Sequence, residues 1–384
     1  MYSKKQFFKL LALALLALLP VVTATTRRAG AQQQQVPSPT QNQTRQRRTV
    51  DTARGQQQPP QQQPAPKDDD TTLQDDTDVV RVETDLTNIL FSAVDKQRRF
   101  VTTLKQEDIR VLEDGQPQEI FSFYRQTDLP LSLAILIDTS ASQERTLPEE
   151  KAAALQFVDA VIRPEKDEVA VVSFTGESTL EQGLTSSVAR VRSALQRVQF
   201  VPPSGYIGGG QTTGTPPISG TNQTLAGTTA VWDAIYVTSS ELLSGTSEKT
   251  RRAIILVTDG VDSSSQYKMS EAIDRAIKSD AVIYSIGIGD VMFQGVNEGA
   301  LKKVSERTGG RAFFPRDEAD LRAAFAQIQE ELRSQYLVAY SPTNKNRDGS
   351  YRRVQIEVMN PAWKKNLRLT YRQGYFAKAS AARK

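Results

Sequence analysis

Ile137-Asp138-Thr139-Ser140-Ala141-Ser142 places a carboxylate and two hydroxyls at alternate positions directly after an apolar run. In an extended segment, residues two apart point the same way, so Asp138, Ser140 and Ser142 converge on one point. A second carboxylate, Asp259, follows the apolar run Ala253–Val257 within Thr258-Asp259-Gly260. Thr229 closes Gly227-Thr228-Thr229, just before an expected helix that starts near Ala230, and Thr228 competes with it for the same role. Two carboxylates and three hydroxyls make an all-oxygen donor set. Such a set suits a hard cation, Mg²⁺ first, with Mn²⁺ and Ca²⁺ as further candidates.

Two absences narrow the remaining chemistry. The 384 residues include no Cys and no His. Disulfides, thiolate zinc sites, histidine general bases and Ser-His-Asp triads are therefore excluded. Lys plus Arg number 48 against 44 Asp plus Glu, and no basic block forms a nucleic-acid stripe, so no nucleic-acid partner is expected. A hydrolase using Ser140 with a nearby lysine such as Lys151 stays open as an alternative, although no Ser-x-x-Lys arrangement surrounds Ser140.

The elements that must position these residues follow from patterning. Lys4, Lys5 and Lys9, the run Leu10–Val22 and the small residues Ala29-Gly30-Ala31 predict a signal peptide over residues 1–31, with an uncleaved anchor as the alternative. Residues 32–77 are rich in Gln, Pro and Thr and are expected to form a disordered tether. No second apolar stretch of spanning length follows. The mature chain is thus expected to be exported, periplasmic or extracellular, without a transmembrane segment.

From residue 78 to 127, Val79–Val82, Ile89–Val94, Ile109–Leu112 and Ile120–Phe123 alternate like half-buried strands, with Asp114-Gly115 as a hairpin turn between the last two. A matching set occupies residues 335–377, namely Tyr336–Tyr340, Tyr351–Val358 and Leu367–Tyr371, ahead of a basic tail at 378–384. Between them, over residues 128–334, the continuous apolar runs Leu133–Ile137, Val169–Phe174, Ala253–Val257 and Val282–Ile288 suit parallel strands covered on both faces. Helical stripes intervene: Ala152, Leu155, Phe157, Val158 and Val161; Val188, Val191, Leu195 and Val198; Leu321, Phe325, Ile328 and Leu332.

The fold expected is α/β. A doubly wound, mostly parallel, Rossmann-like sheet is inserted in, or flanked by, a small antiparallel β module. Neither flank alone makes a comfortable sandwich, so a shared module is expected, with two independent appendages as the alternative. Binding loops in such sheets gather beyond the carboxyl ends of the strands, where Asp138 and Asp259 fall.

Asp138-x-Ser140-x-Ser142, Thr229 and Asp259, in this order on alternating strands and helices, resemble the metal-ion-dependent adhesion site of von Willebrand factor type A domains. Thr229 is preferred to Thr228 because the step to Asp233-Ala234 fits that family's spacing. The resemblance implies direct coordination by Ser140, Ser142 and Thr229, with Asp138 and Asp259 acting largely through waters. It further implies a protein partner that presents an Asp or Glu carboxylate to the ion, a role in adhesion, and no catalysis. A domain that kept the fold without a working metal site is the alternative. Ala141 and Gln143 stand where many relatives carry Gly and Met, a departure read as leaving the ligands untouched. The flanks, through Glu107–Gly115 and Arg372-Gln373-Gly374-Tyr375, resemble a subfamily described from Acidobacteria.

Overall fold

Leu131–Asp138 and Arg251–Thr258 are buried at every position, as strands covered on both faces must be. They lie at the centre of a computed structural model that describes residues 86–126, 128–202, 206–208, 211–212, 228–247, 249–289 and 295–379. The expected signal peptide, the tether, the strand Val79–Val82 and the last five residues of the tail lie outside the described residues.

The chain begins with β1 (Thr87–Val94), β2 (Ile109–Glu113), β3 (Gln116–Gln118) and β4 (Ile120–Gln126). The α/β part follows with β5 (Leu131–Asp138), α1 (Leu147–Val161), β6 (Glu168–Phe174), β7 (Ser178–Thr185), α2 (Val188–Arg197), and a short pair β8 (Tyr206–Gly208) and β9 (Gln211–Thr212). It continues through α3 (Val231–Val237), which passes into a π-helical turn, then β10 (Arg251–Thr258), α4 (Met269–Lys278) and β11 (Ala281–Gly287). The helix α5 (Glu298–Thr308), β12 (Ala312–Phe313) and α6 (Glu318–Arg333) complete that part. The last elements are β13 (Gln335–Tyr340), β14 (Tyr351–Val358), α7 (Pro361–Lys364), β15 (Arg368–Tyr371) and β16 (Gly374–Phe376).

Six strands form the central sheet in the order β12-β11-β10-β5-β6-β7, all parallel except β7 at one edge. Side-chain parity divides its two faces. Leu133, Ile135 and Ile137 pack with Phe157, Leu195, Phe325 and Ile328 from α1, α2 and α6. Ala134, Leu136, Ile254 and Leu256 pack with Ile235, Ile273 and Leu301 from α3, α4 and α5. The doubly wound α/β expectation holds.

The expected stripe on α1 is displaced. Ala152 is exposed, and the buried face runs through Leu147, Glu150, Ala153, Ala154, Phe157, Val158 and Val161. Contact with α6, where Phe157 and Phe325 lie 5.1 Å apart, sets that rotation and carries Glu150 inward.

Two antiparallel four-stranded sheets make up the β part, β15-β1-β13-β4 and β16-β14-β2-β3, and each takes strands from both flanks. Their shared core holds Ile89, Phe91, Val111, Tyr336 and Val354, with Tyr336 stacked between Phe91 at 5.1 Å and Phe123 at 5.3 Å. The Asp114-Gly115 turn joins β2 to the short β3 rather than to β4. Both its residues have positive φ, 47° and 82°, as a two-residue hairpin turn requires. Pairing with β13 takes β4 into the other sheet, where Phe123 reaches the aromatic stack.

Candidate metal site

The carboxyl ends of β5 and β10 are neighbours in parallel register, Ile137 opposite Val257, so the segments after them meet at one rim. Asp138, the last residue of β5, is fully buried. Its Oδ1 accepts the Ser140 N–H at 2.9 Å, which folds the backbone into the loop, and its Oδ2 accepts the Thr258 hydroxyl at 2.6 Å. The Ser140 and Ser142 hydroxyl oxygens lie 3.2 Å apart, the convergence their alternate spacing predicts. Asp259 accepts the Val261 N–H at 2.8 Å and is also hydrogen-bonded by Ser142. Gly260 makes the sharp exit from β10 at φ +74°.

Four of the five expected residues therefore touch one another directly or through a single neighbour. Thr229 arrives on the third segment, held by its backbone. Its N–H donates to Ser263 Oγ at 2.9 Å, and its carbonyl accepts the N–H groups of Ser263 at 2.9 Å and Ser264 at 3.1 Å. Among the described residues no hydrogen bond joins its side chain to the other four.

Asp262 fixes the same junction. Its Oδ1 accepts the Val231 N–H at 2.8 Å and the Ser265 hydroxyl, while Asp233 in return accepts the N–H groups of Gln266 and Tyr267 at 3.0 and 2.8 Å. The loop carrying Thr229 and the loop carrying Asp259 are clamped together by carboxylates that cap backbone donors.

Electrostatics sets this rim apart. Burial pushes the Asp138 carboxyl up to about 7, the charge of Asp259 adds to the rise, and the hydroxyls of Thr258 and Ser140 hold it back. Burial also raises Asp259. A third carboxylate, Glu150 on the first turn of α1, is 1% exposed, and among the described residues only the Thr146 hydroxyl is near enough to act on it as a donor. It is pushed up to about 8 by burial, the Thr146 hydroxyl holds it back, and the charges of Asp138 and Asp259 add to the rise.

Other buried carboxylates are compensated. Asp167 pairs with Arg163 at 2.8 Å, and Glu331 with Arg311 and Glu113 with Arg352 at 3.3 Å each. Asp108 accepts the Lys105 N–H and the Asn360 amide. Among the described residues neither an arginine nor a lysine acts on Asp138, Asp259 or Glu150. Buried charge without a partner is costly, and a bound cation is the partner that this donor set fits. Among the described residues no cluster of three carboxylates closes around one point, so the donors are hydroxyls as much as carboxylates.

A family model for the von Willebrand factor type A domain matches residues 133–261, and a second model of the same description matches residues 217–328. The chain belongs to the von Willebrand factor type A domain family. The matched span begins in β5 and ends in α6, and it contains Asp138, Ser140, Ser142, Thr229 and Asp259.

Solved structures with this fold include a von Willebrand factor type A protein from Catenulispora acidiphila. It is 14% identical, covers 78% of this chain and 74% of that one, and has a TM-score of 0.42. BatB from Bacteroides thetaiotaomicron is 17% identical over 54% of this chain and all of that one, with a TM-score of 0.39. Proximal thread matrix protein 1 from the mussel byssus, described with a zinc-occupied MIDAS motif, is 19% identical over 57% of this chain, with a TM-score of 0.44. The chain spans about half the length of the mussel protein. No curated protein matches it.

Two contributors escaped the sequence reading. Gln143 was set outside the ligand set, yet its buried amide donates to Ser142 Oγ at 3.4 Å and to the Ile288 carbonyl at 3.1 Å, so it does touch an expected ligand. Glu150 carried no signal, because it sits between Glu149 and Lys151 in a stretch that reads as a solvated face.

Proposed function

We propose that this von Willebrand factor type A domain holds one divalent cation, Mg²⁺ first, at Asp138, Ser140, Ser142, Thr229 and Asp259, and binds a partner protein through it. Two buried carboxylates, Asp138 and Asp259, at the meeting of the β5 and β10 loops, with no arginine or lysine acting on them among the described residues, carry the reading.

A bound ion supplies positive charge that neutral hydroxyls quench poorly, which favours an incoming Asp or Glu carboxylate from the partner. The chain's own residues orient it. Asp138 fixes the Ser140 backbone, Thr258 fixes Asp138, and Gln143 steadies Ser142. Adhesion or scaffolding outside the cytoplasm follows from pairing this site with the basic and apolar start of the sequence. No helix among the described residues is long and apolar enough to cross a membrane.

A binding role is favoured over a Ser-Lys hydrolase by the position of Lys151. Its ammonium donates to the carbonyls of Gln196 at 2.9 Å and Val198 at 2.6 Å, at the end of α2 rather than at Ser140.

The test is a pull-down from the envelope fraction with and without chelator, using the parent and Asp138→Ala. Partner capture is expected to disappear with chelator and in the variant. Equal capture in all arms contradicts metal-bridged binding.

A further inference from the structure

A cleft of about 780 Å³ opens at the end of the central sheet opposite the metal loops, between the starts of β10 and β11, the end of α4 and the β module. The cations in its walls include Arg251, Arg252, Lys278, Lys345, Arg352 and Arg372, with Arg347 and Lys378 beside them. Two of the first six are matched by carboxylates, Arg352 by Glu113 and Arg372 by Asp280.

The hydrogen bonds of the other four go to neutral groups among the described residues, although the Asp167 carboxylate, already paired with Arg163, also acts on Arg251. Arg251 donates to the carbonyls of Leu332 and Leu129 and to the Gln335 side chain. Arg252 donates to Thr246, Ser247 and Ser279. Lys278 lies 4.6 Å from the centre of the Phe376 ring, and Lys345 donates to the Ser341 hydroxyl at 2.7 Å.

Carbonyls and hydroxyls satisfy these donors without cancelling their charge. Four positive charges thus surround one concave space whose walls also include Leu90, Leu129, Leu337 and Phe376. Arg251 is 7% exposed and Arg252 8%, so the field at the base of the cleft is weakly screened by water. Burial and the neighbouring charge of Arg163 push Arg251 down, only partly offset by Asp167, and an anion in the cleft relieves this. Among the described residues the Nε–H groups of Arg251, Arg352 and Arg372 have no acceptor. A space of this volume suits a small organic molecule and is too small for a nucleic-acid duplex.

We propose that this cleft binds a small organic polyanion, a molecule carrying two or more phosphate or carboxylate groups on a compact apolar frame. Arg251 and Arg252 supply fixed charge at its base, and Lys278 and Lys345 close on the anion from the exposed rim. The site is separate from the metal loops. The eight residues of β10, about 26 Å of extended chain, lie between them.

The experiment is calorimetric titration of the full chain in metal-free, low-salt buffer, with inorganic tripolyphosphate in one arm and citrate in the other. Removing divalent ions keeps the result independent of the proposed metal site. At least one probe is expected to bind saturably at one per chain, at or below about 1 mM. The doubly substituted Lys278→Glu/Lys345→Glu chain should bind it at least about tenfold more weakly. Both lysines are exposed, so a melting curve matching the parent's verifies the fold. Asp138→Ala should bind the same probe within about twofold of the parent. Tripolyphosphate alone binding identifies a phosphate ligand, citrate alone a carboxylate one. The proposal is overturned if neither probe saturates, or if the doubly substituted chain binds as the parent does.

Discussion

Strand β10 starts with Arg251-Arg252 and ends at Thr258, just before Asp259, and the two ends of the sheet it crosses bury ionisable groups of opposite sign. At the carboxyl end, Asp138, Asp259 and Glu150 are buried with no arginine or lysine among the described residues acting on them. At the amino end, Arg251 and Arg252 are buried and, among the described residues, hydrogen-bond only neutral groups, with Asp167 near Arg251 already paired with Arg163. The β module handles the same problem internally. Glu113 meets Arg352 and accepts the hydroxyls of Tyr340 and Tyr375 at 2.8 Å each. A polar group closed off in this way supports the fold, whereas the two ends of the central sheet are left open to ligands of opposite sign.

The largest expected effect is on stability at the acidic end. A carboxyl whose pKa is raised on folding keeps its proton in the folded chain after the unfolded chain has lost it. Stability therefore falls as pH climbs from 3.8 to about 7 for Asp138, and from 4.5 to about 8 for Glu150. Each contributes at most about 5 kcal/mol. Urea unfolding in chelator should show a midpoint that drops across this window, and saturating Mg²⁺ should reduce the drop. Identical profiles with chelator and with Mg²⁺ would mean that the carboxylates are not neutralised by the ion.

A smaller effect sharpens the contrast with the β module. Glu150→Gln removes one unpartnered charge while keeping the side chain's shape. In chelator at pH 8 the variant should be more stable than the parent by roughly 2 kcal/mol, with the two alike near pH 4. Its Mg²⁺ affinity should weaken by about tenfold. Stability and affinity moving in opposite directions identify a residue retained for the ion. Loss of stability at pH 8 would instead assign Glu150 to the packing of α1.

The central strands were legible because burial on both faces forces continuous apolar runs such as Leu133–Ile137. Asp138, Ser140, Ser142 and Asp259 were legible because alternate spacing after a strand has a direct geometric consequence, seen in the 3.2 Å between the serine hydroxyls. Glu150 was hidden because the helix–helix contact that rotates α1 involves Phe325, far along the chain. Gln143 was hidden because one buried amide in a turn has no periodicity to betray it. Arg251 and Arg252 stand just ahead of the apolar run Ala253–Val257 with no pattern of their own, and only the folded chain places Lys278 and Lys345 in the same cleft wall. The switch of β4 between sheets was hidden for a similar reason, since its partner β13 is supplied by the opposite flank.

The most direct test of the account is calorimetric titration of Mg²⁺ and Mn²⁺ into the cation-free chain at pH 7.5, comparing the parent with Asp138→Ala. One ion per parent chain is predicted, with affinity at least about 100-fold weaker in the variant. A parent that takes up neither ion, or a variant that binds as tightly as the parent, contradicts it.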